Sequence, residues 1–177
     1  MDKKVDLFNQ PLPLQAFYAF GVDPGVNTGV AMWSKEGGLK LFNMTFWEFI
    51  FFFEANVIPG LKSGELQCKV VIEANHLNEY VYRDRIDHKN RGTVLRMARN
   101  VGMNQNDSKR LCEYMKLREV PLEEYLPTKA DRKWSVEYFQ TLSGKPTLPS
   151  HEHVRDAARF IARYWVDGNK IFKKPSA

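Results

Sequence analysis

Cysteine is scarce in this chain: Cys68 and Cys112 are the only two among 177 residues. That excludes a disulfide framework and a paired-cysteine zinc motif, and it suits a reducing compartment. Long apolar runs are missing as well. The richest stretch, Phe46 to Phe53, is far too short to span a bilayer and contains Glu48. The opening Met1-Asp2-Lys3-Lys4-Val5-Asp6 lacks the apolar centre of a signal peptide, so a cytoplasmic location is expected. No internal repeat and no low-complexity segment interrupts the chain, which excludes solenoids and fibrous arrays.

What remains is the composition of one globular domain, 44% hydrophobic, with chain enough for a sizeable core. Residues 1–14 read as a loose leader and 166–177 as a basic tail. Lys plus Arg outnumber Asp plus Glu by 26 to 21, a net charge of +5, and the pI is near 9.2. A mildly basic domain suits a polyanionic partner without proving one.

The most informative stretch runs from Ala16 to Trp33. An apolar run, Phe17 to Val22, leads to Asp23; Pro24-Gly25 turns the chain; a second apolar run begins at Thr28-Gly29. This pattern predicts strand, tight turn and strand, with one carboxylate at a buried strand tip. Lys35 to Gly38 is a turn signal, and Leu39 to Phe46 completes an antiparallel meander. Thr45 is placed to cap a helix over Phe46 to Val57, with Glu48 in its first turn. That helix holds more aromatic residues than one face needs. Pro59 to Gln67 reads as a loop.

Cys68 to Glu73 is a β-branched strand that again ends in an acid, and its burial suggests parallel pairing. The polar segment 75–91 reads as a long loop in which Tyr80 and Tyr82 are followed by Arg83, Arg85, Lys89 and Arg91, a combination of tyrosines and basic residues suited to phosphate contact and base stacking. Asp84 and Asp87 partly cancel its charge. Thr93 to Leu117 has helical spacing with candidate breaks at Gly102 or Asn106-Asp107, and its methionines read as core filler. A strand over Val120 to Leu126 is stopped by Pro127, and Thr128 to Trp134 opens a further helix.

Ser150 reads as the N-cap of a last helix to Trp165, with Val154, Ala157, Ala158, Ile161, Ala162 and Trp165 as its apolar stripe. Arg155, Arg159 and Arg163 mark its solvent or ligand side. Glu152, His153 and Asp156 project from the first turn. Taken singly, each of these features is an ordinary turn, strand end or capped helix.

Together they form a constellation. If the strands are neighbours, Asp23, Glu73, His153 and Asp156 make an acidic cluster that requires cations or protons. Hard oxygen donors with one imidazole suit Mg²⁺, with Mn²⁺ as substitute. Two such ions can cleave phosphodiesters. A basic surface around an acidic, metal-binding hole is the charge layout of a nuclease.

Phe20-Gly21-Val22-Asp23-Pro24-Gly25-Val26-Asn27-Thr28-Gly29 resembles the first motif of the RuvC Holliday-junction resolvases. Val70-Val71-Ile72-Glu73 is similar to their second acidic strand, and His153-Val154-Arg155-Asp156-Ala157 to their C-terminal motif. The order and spacing agree over residues 17–165. The resemblance implies a ribonuclease H-like α/β fold, with a five-stranded mixed sheet (an antiparallel meander, then parallel strands) flanked by helices. It implies a homodimer that nicks four-way DNA junctions in pairs with two Mg²⁺ ions per site. Asp23, Glu73 and Asp156 would be metal ligands and His153 the fourth member. The family's basic residue after the fifth strand corresponds to Lys129 or Lys133.

The charged segment 75–91 and the leader are longer than in bacterial resolvases, which leaves cleavage preference and junction specificity open; the compact, divergent form suggests a phage or mobile-element version. Other readings are a flap, fork or RNA nuclease of the same fold, a non-catalytic DNA-binding scaffold, and an actin-like or sugar-kinase-like nucleotide-binding domain. The last would ordinarily need two domains and leaves Glu73 and Asp156 unexplained.

Overall fold

The computed structural model describes residues 12–13, 15–77, 91–126, 133–144 and 152–166. Five strands form one mixed sheet: β1 (Phe17–Asp23), β2 (Thr28–Ser34), β3 (Gly38–Met44), β4 (Gln67–Glu73) and β5 (Leu122–Tyr125), in the order β3-β2-β1-β4-β5. β1, β2 and β3 pair antiparallel, whereas β4 pairs parallel to both β1 and β5. The meander and the parallel pairing thus agree with the expectation from sequence.

Among the described residues six helices flank the sheet: α1 (Phe46–Asn56), α2 (Ile58–Ser63), α3 (Arg91–Leu117), α4 (Val136–Ser143), α5 (Glu152–Phe160) and α6 (Ala162–Trp165). Thr45 closes a capping box on α1: its hydroxyl accepts the Glu48 N–H at 3.3 Å, and its own N–H donates to Glu48 Oε2 at 2.7 Å. Strand parity separates the two sides of the sheet. Tyr18, Phe20 and Val22 of β1, with Val70 and Ile72 of β4, face a core completed by α1, α2 and the C-terminal part of α3. Phe49, Phe52 and Phe53 fill that core, while Trp47 and Phe51 on the same helix are exposed. The other parity, Ala19, Ala31 and Val71, faces α5 and Phe139 of α4.

Several boundaries differ from the expectation. Ile58–Ser63 is a short helix, not part of a loop, because Pro59 is tolerated in a first turn and Gly64, at φ 74°, ends it. Arg91 opens α3 instead of closing a loop, and α3 runs unbroken through Gly102 and Asn106-Asp107. Val94 and Val101 are only partly buried in α3, Leu95 and Met103 are exposed, and Met115 is the methionine that fills core. Helical spacing identified the helix correctly but overstated how far the core extends along it. The α4 helix starts later than expected because Ser135 caps it, accepting the Tyr138 N–H at 3.1 Å; Lys133 and Trp134 precede it in a non-helical segment. The last helix divides at Ile161 into α5 and α6. The Ser150 cap, most of the leader and most of the basic tail lie outside the described residues. Among the described residues no helix is long and apolar enough to cross a membrane.

Candidate active site

Asp23 and Glu73 are the last residues of β1 and β4, which run parallel with Val22 opposite Ile72. Both acids therefore stand at the same end of the sheet. Parity puts them on the same face, the one that carries Ala19, Gly21, Lys69 and Val71 and is covered by α5. β2 contributes Gly29, opposite Asp23, and Ala31, opposite Gly21.

These small residues decide how closely α5 approaches. A Cβ on Gly29 would stand 2.3 Å from the carbonyl carbon of His153, and a Cβ on Gly21 would stand 1.9 Å from the carbonyl oxygen of Ala157. The helix backbone lies directly on the strands, and its first turn is held over the two strand tips. Gly21 and Gly29 are needed here for close packing of backbone on backbone.

The four acidic-site residues converge. His153 Nδ1 donates to Asp23 Oδ2 at 2.9 Å. Glu73 is within hydrogen-bonding reach of Asp23, and Asn75 Nδ2 donates to Glu73 Oε2 at 3.1 Å. Asp156 sits close enough to act electrostatically on Glu73. Asp23 and Asp156 are each 5% exposed, whereas the His153 side chain is 47% exposed and offers its ring to an incoming ligand.

Electrostatics record the crowding. Burial, together with the neighbouring Asp23, pushes the Glu73 carboxyl up to about 8. Carboxyls crowded in this way favour uptake of a proton or of a cation. Burial also raises Asp156, although Lys133 and Arg159 pull it down. The hydrogen bond to Asp23 raises His153 despite its partial burial. The donor set of three carboxylates and one half-exposed imidazole fits a hard divalent cation such as Mg²⁺ or Mn²⁺.

Two cations of the chain already belong to the cluster. Lys133 Nζ bonds Glu152 Oε1 and lies 3.3 Å from Asp156 Oδ2. Of the two lysines considered after β5, Lys133 thus reaches the acids, and Lys129 lies outside the described residues. Arg159, expected on the solvent or ligand side of α5, turns inward: its side chain is 11% exposed, and Nε lies 3.6 Å from Asp156 Oδ1 with no hydrogen-bond partner among the described residues. Arg163 is the member of that row that remains exposed, paired with Glu123 at 2.5 Å.

Arg83, Arg85 and Lys89 also lie outside the described residues; Arg91 is exposed at the start of α3. Two further cations were missed from sequence, Arg96 and Arg99. Both are exposed on α3, whose residues 91–106 contain no acid. This helix passes the strand-tip turn, where Asn104 Oδ1 lies 3.5 Å from the position of a Cβ on Gly25. The acid-free run was the available signal; what concealed it was reading the segment for apolar periodicity alone. The chain matches no protein-family model, no curated protein and no solved structure.

Proposed function

We propose that the protein is a metal-dependent endonuclease of ribonuclease H-like fold that cuts branched DNA, with four-way junctions as its preferred substrate. The observation that carries this reading is the convergence of Asp23, Glu73, His153 and Asp156 from two parallel strand tips and one helix start. Three acids from distant parts of the chain meet on one face at a cost in mutual repulsion, an arrangement expected where cation binding is the purpose. The strand order and the mixed pairing are compatible with the resolvase resemblance.

Asp23, Glu73 and Asp156 would hold Mg²⁺ or Mn²⁺, which when bound lowers the pKa of coordinated water and neutralises charge on a scissile phosphate. The chain's own groups do the rest. Asp23 fixes the His153 ring through Nδ1, leaving the other ring nitrogen directed away from that bond. Asn75 steadies the Glu73 carboxylate. Lys133 and Arg159 hold Asp156 in place and offset its charge. The exposed arginines of α3 would provide a phosphate-contacting surface. Two copies acting as a homodimer would present two such sites to opposed strands of a junction.

The test uses a labelled synthetic four-way junction, with duplex, flap and single-stranded controls, incubated with Mg²⁺ or with EDTA. Symmetric, metal-dependent nicks at the junction are expected, and Asp23→Asn is expected to lose at least about a hundredfold in rate while still binding the junction. Preferential cutting of flaps or single strands would transfer the function to a related nuclease. Unchanged cleavage by Asp23→Asn, or tight binding without cutting in any divalent metal, would overturn the assignment.

A further inference from the structure

A second cluster of ligating groups lies on the opposite side of the sheet. His76 belongs to a short 3-10 turn after β4 (Asn75–Leu77), Cys112 to α3 and Glu124 to β5. One ligand atom from each lies within 4.8 Å of the other two. Glu124 pairs with Ile72 in the ladder, so it shares the parity of the α1–α3 face and not that of Asp23 and Glu73. The cluster is therefore separate from the candidate active site and does not depend on the nuclease reading.

The hydrogen bonds around it set the histidine tautomer. Ser108 Oγ donates to the Glu73 carbonyl oxygen at 2.7 Å, which uses its single proton. It must therefore accept at His76, whose Nδ1 lies 3.0 Å away and carries the hydrogen. In the neutral ring this leaves a lone pair on Nε2, and Nε2 faces Glu124 Oε2 at 3.4 Å. Two acceptors face each other, with a thiol beside them, and a proton or a cation between them resolves the conflict. Lys116 engages Oε1 of Glu124, the carboxylate oxygen other than the one facing His76. A histidine oriented through its second nitrogen, opposite one thiol and one carboxylate, is the pattern of a metal ligand with its supporting hydrogen bond.

We propose that His76 Nε2, Cys112 Sγ and Glu124 Oε2 bind Zn²⁺, with solvent as the fourth ligand. The mixed nitrogen, sulfur and oxygen donors select zinc over the hard cations expected at the carboxylate cluster. A tetrahedral set places ligand atoms roughly 3.3–3.8 Å apart, so the present arrangement closes around zinc with side-chain shifts of about 1 Å. Burial pushes the Cys112 thiol up to about 12 in the metal-free protein. Zinc binding therefore displaces the thiol proton to solvent. The ion would clip the turn after β4 to α3 and β5. Through Ser108 it would steady the backbone at Glu73, the last residue of β4.

The test is Co²⁺ and Zn²⁺ titration of the purified full-length chain in excess Mg²⁺. One equivalent of Co²⁺ should give a thiolate-to-cobalt charge-transfer absorption, a band the carboxylate cluster cannot produce because it has no sulfur. Zn²⁺ should bleach it. Asp23→Asn should keep the band, and Cys112→Ala should lose it. Because Cys112 is buried, His76→Gln and Glu124→Gln are measured in parallel, with folding checked by circular dichroism. Each should weaken Zn²⁺ binding at least about tenfold. Absence of a thiolate band at saturating Co²⁺, or Zn²⁺ affinity unchanged in both folded glutamine variants, would overturn the proposal.

Discussion

The carbonyl oxygen of Ala157 occupies the space that a Cβ on Gly21 would need: the two would be 1.9 Å apart. The consequence reaches the strand tip. With α5 seated directly on β1, His153 lies one helical turn further along, over Gly29, and its imidazole reaches Asp23. A helix held off by even one methyl layer would draw His153 and Asp156 away from the two strand acids.

Gly21→Ala is therefore expected to destabilise the fold by about 3 kcal/mol, because the obstruction is backbone and has no rotamer to escape into. Gly102→Ala is the contrasting case. Gly102 lies in α3, where its would-be Cβ meets open space among the described residues, and the change should stabilise by about 0.5–1 kcal/mol. Urea denaturation of the two variants measures both signs. Equal effects would mean that α5 does not rest on β1 as described.

The metal-free protein should lose stability as pH rises from about 5 to 8. Glu73 titrates near 8 in the folded chain against an ordinary value of 4.5, and Asp156 and His153 are shifted in the same direction. In this window the folded chain binds more protons than the unfolded chain, so each rise in pH favours unfolding. The lowered carboxyls of Glu152 and Glu137 act the other way but only below about pH 4.5. The loss should be on the order of 3 kcal/mol, roughly 6–12 °C in Tm. Thermal melts in EDTA measure it. Glu73→Gln should flatten the profile, and Mg²⁺ should raise Tm more at pH 8 than at pH 5.5.

Arg96 and Arg99 give a prediction about ionic strength. If the acid-free half of α3 contacts phosphate, Arg96→Ala with Arg99→Ala should weaken junction binding and reduce the slope of log K against log salt by about 2. Fluorescence anisotropy between 50 and 200 mM salt, about the range over which such slopes are resolved, reads this directly. An unchanged slope would place the DNA on another surface.

Glu119 closes α3 in the left-handed region, at φ 57°, with its N–H donating to the Lys116 carbonyl at 3.1 Å. Glycine is the residue such a cap favours. Glu119→Gly should raise stability by up to about 1 kcal/mol in urea denaturation.

The meander, the two acid-tipped strands and the amphipathic C-terminal helix could be read from residue order alone, because strand alternation, turn chemistry and capping are local properties. Even the common face of Asp23 and Glu73 follows from parity once β1 and β4 are taken as parallel neighbours. Boundaries were less legible where a proline sits inside a first turn, as at Pro59, or where exposed apolar residues imitate a core stripe, as at Leu95. Which cations would enter the acidic cluster could not be read in advance. Lys133 and Arg159 reach Asp156 only because α5 packs so closely, and the choice between Lys129 and Lys133 had no local signal.

The sequence by itself determined the elements and the identity of the acids that cap them. Tertiary structure alone decided that His153 meets Asp23, and that His76, Cys112 and Glu124 gather behind Glu73. Those contacts join residues far apart in the chain, and such distances are set by how closely helices pack on the sheet, which residue spacing does not encode.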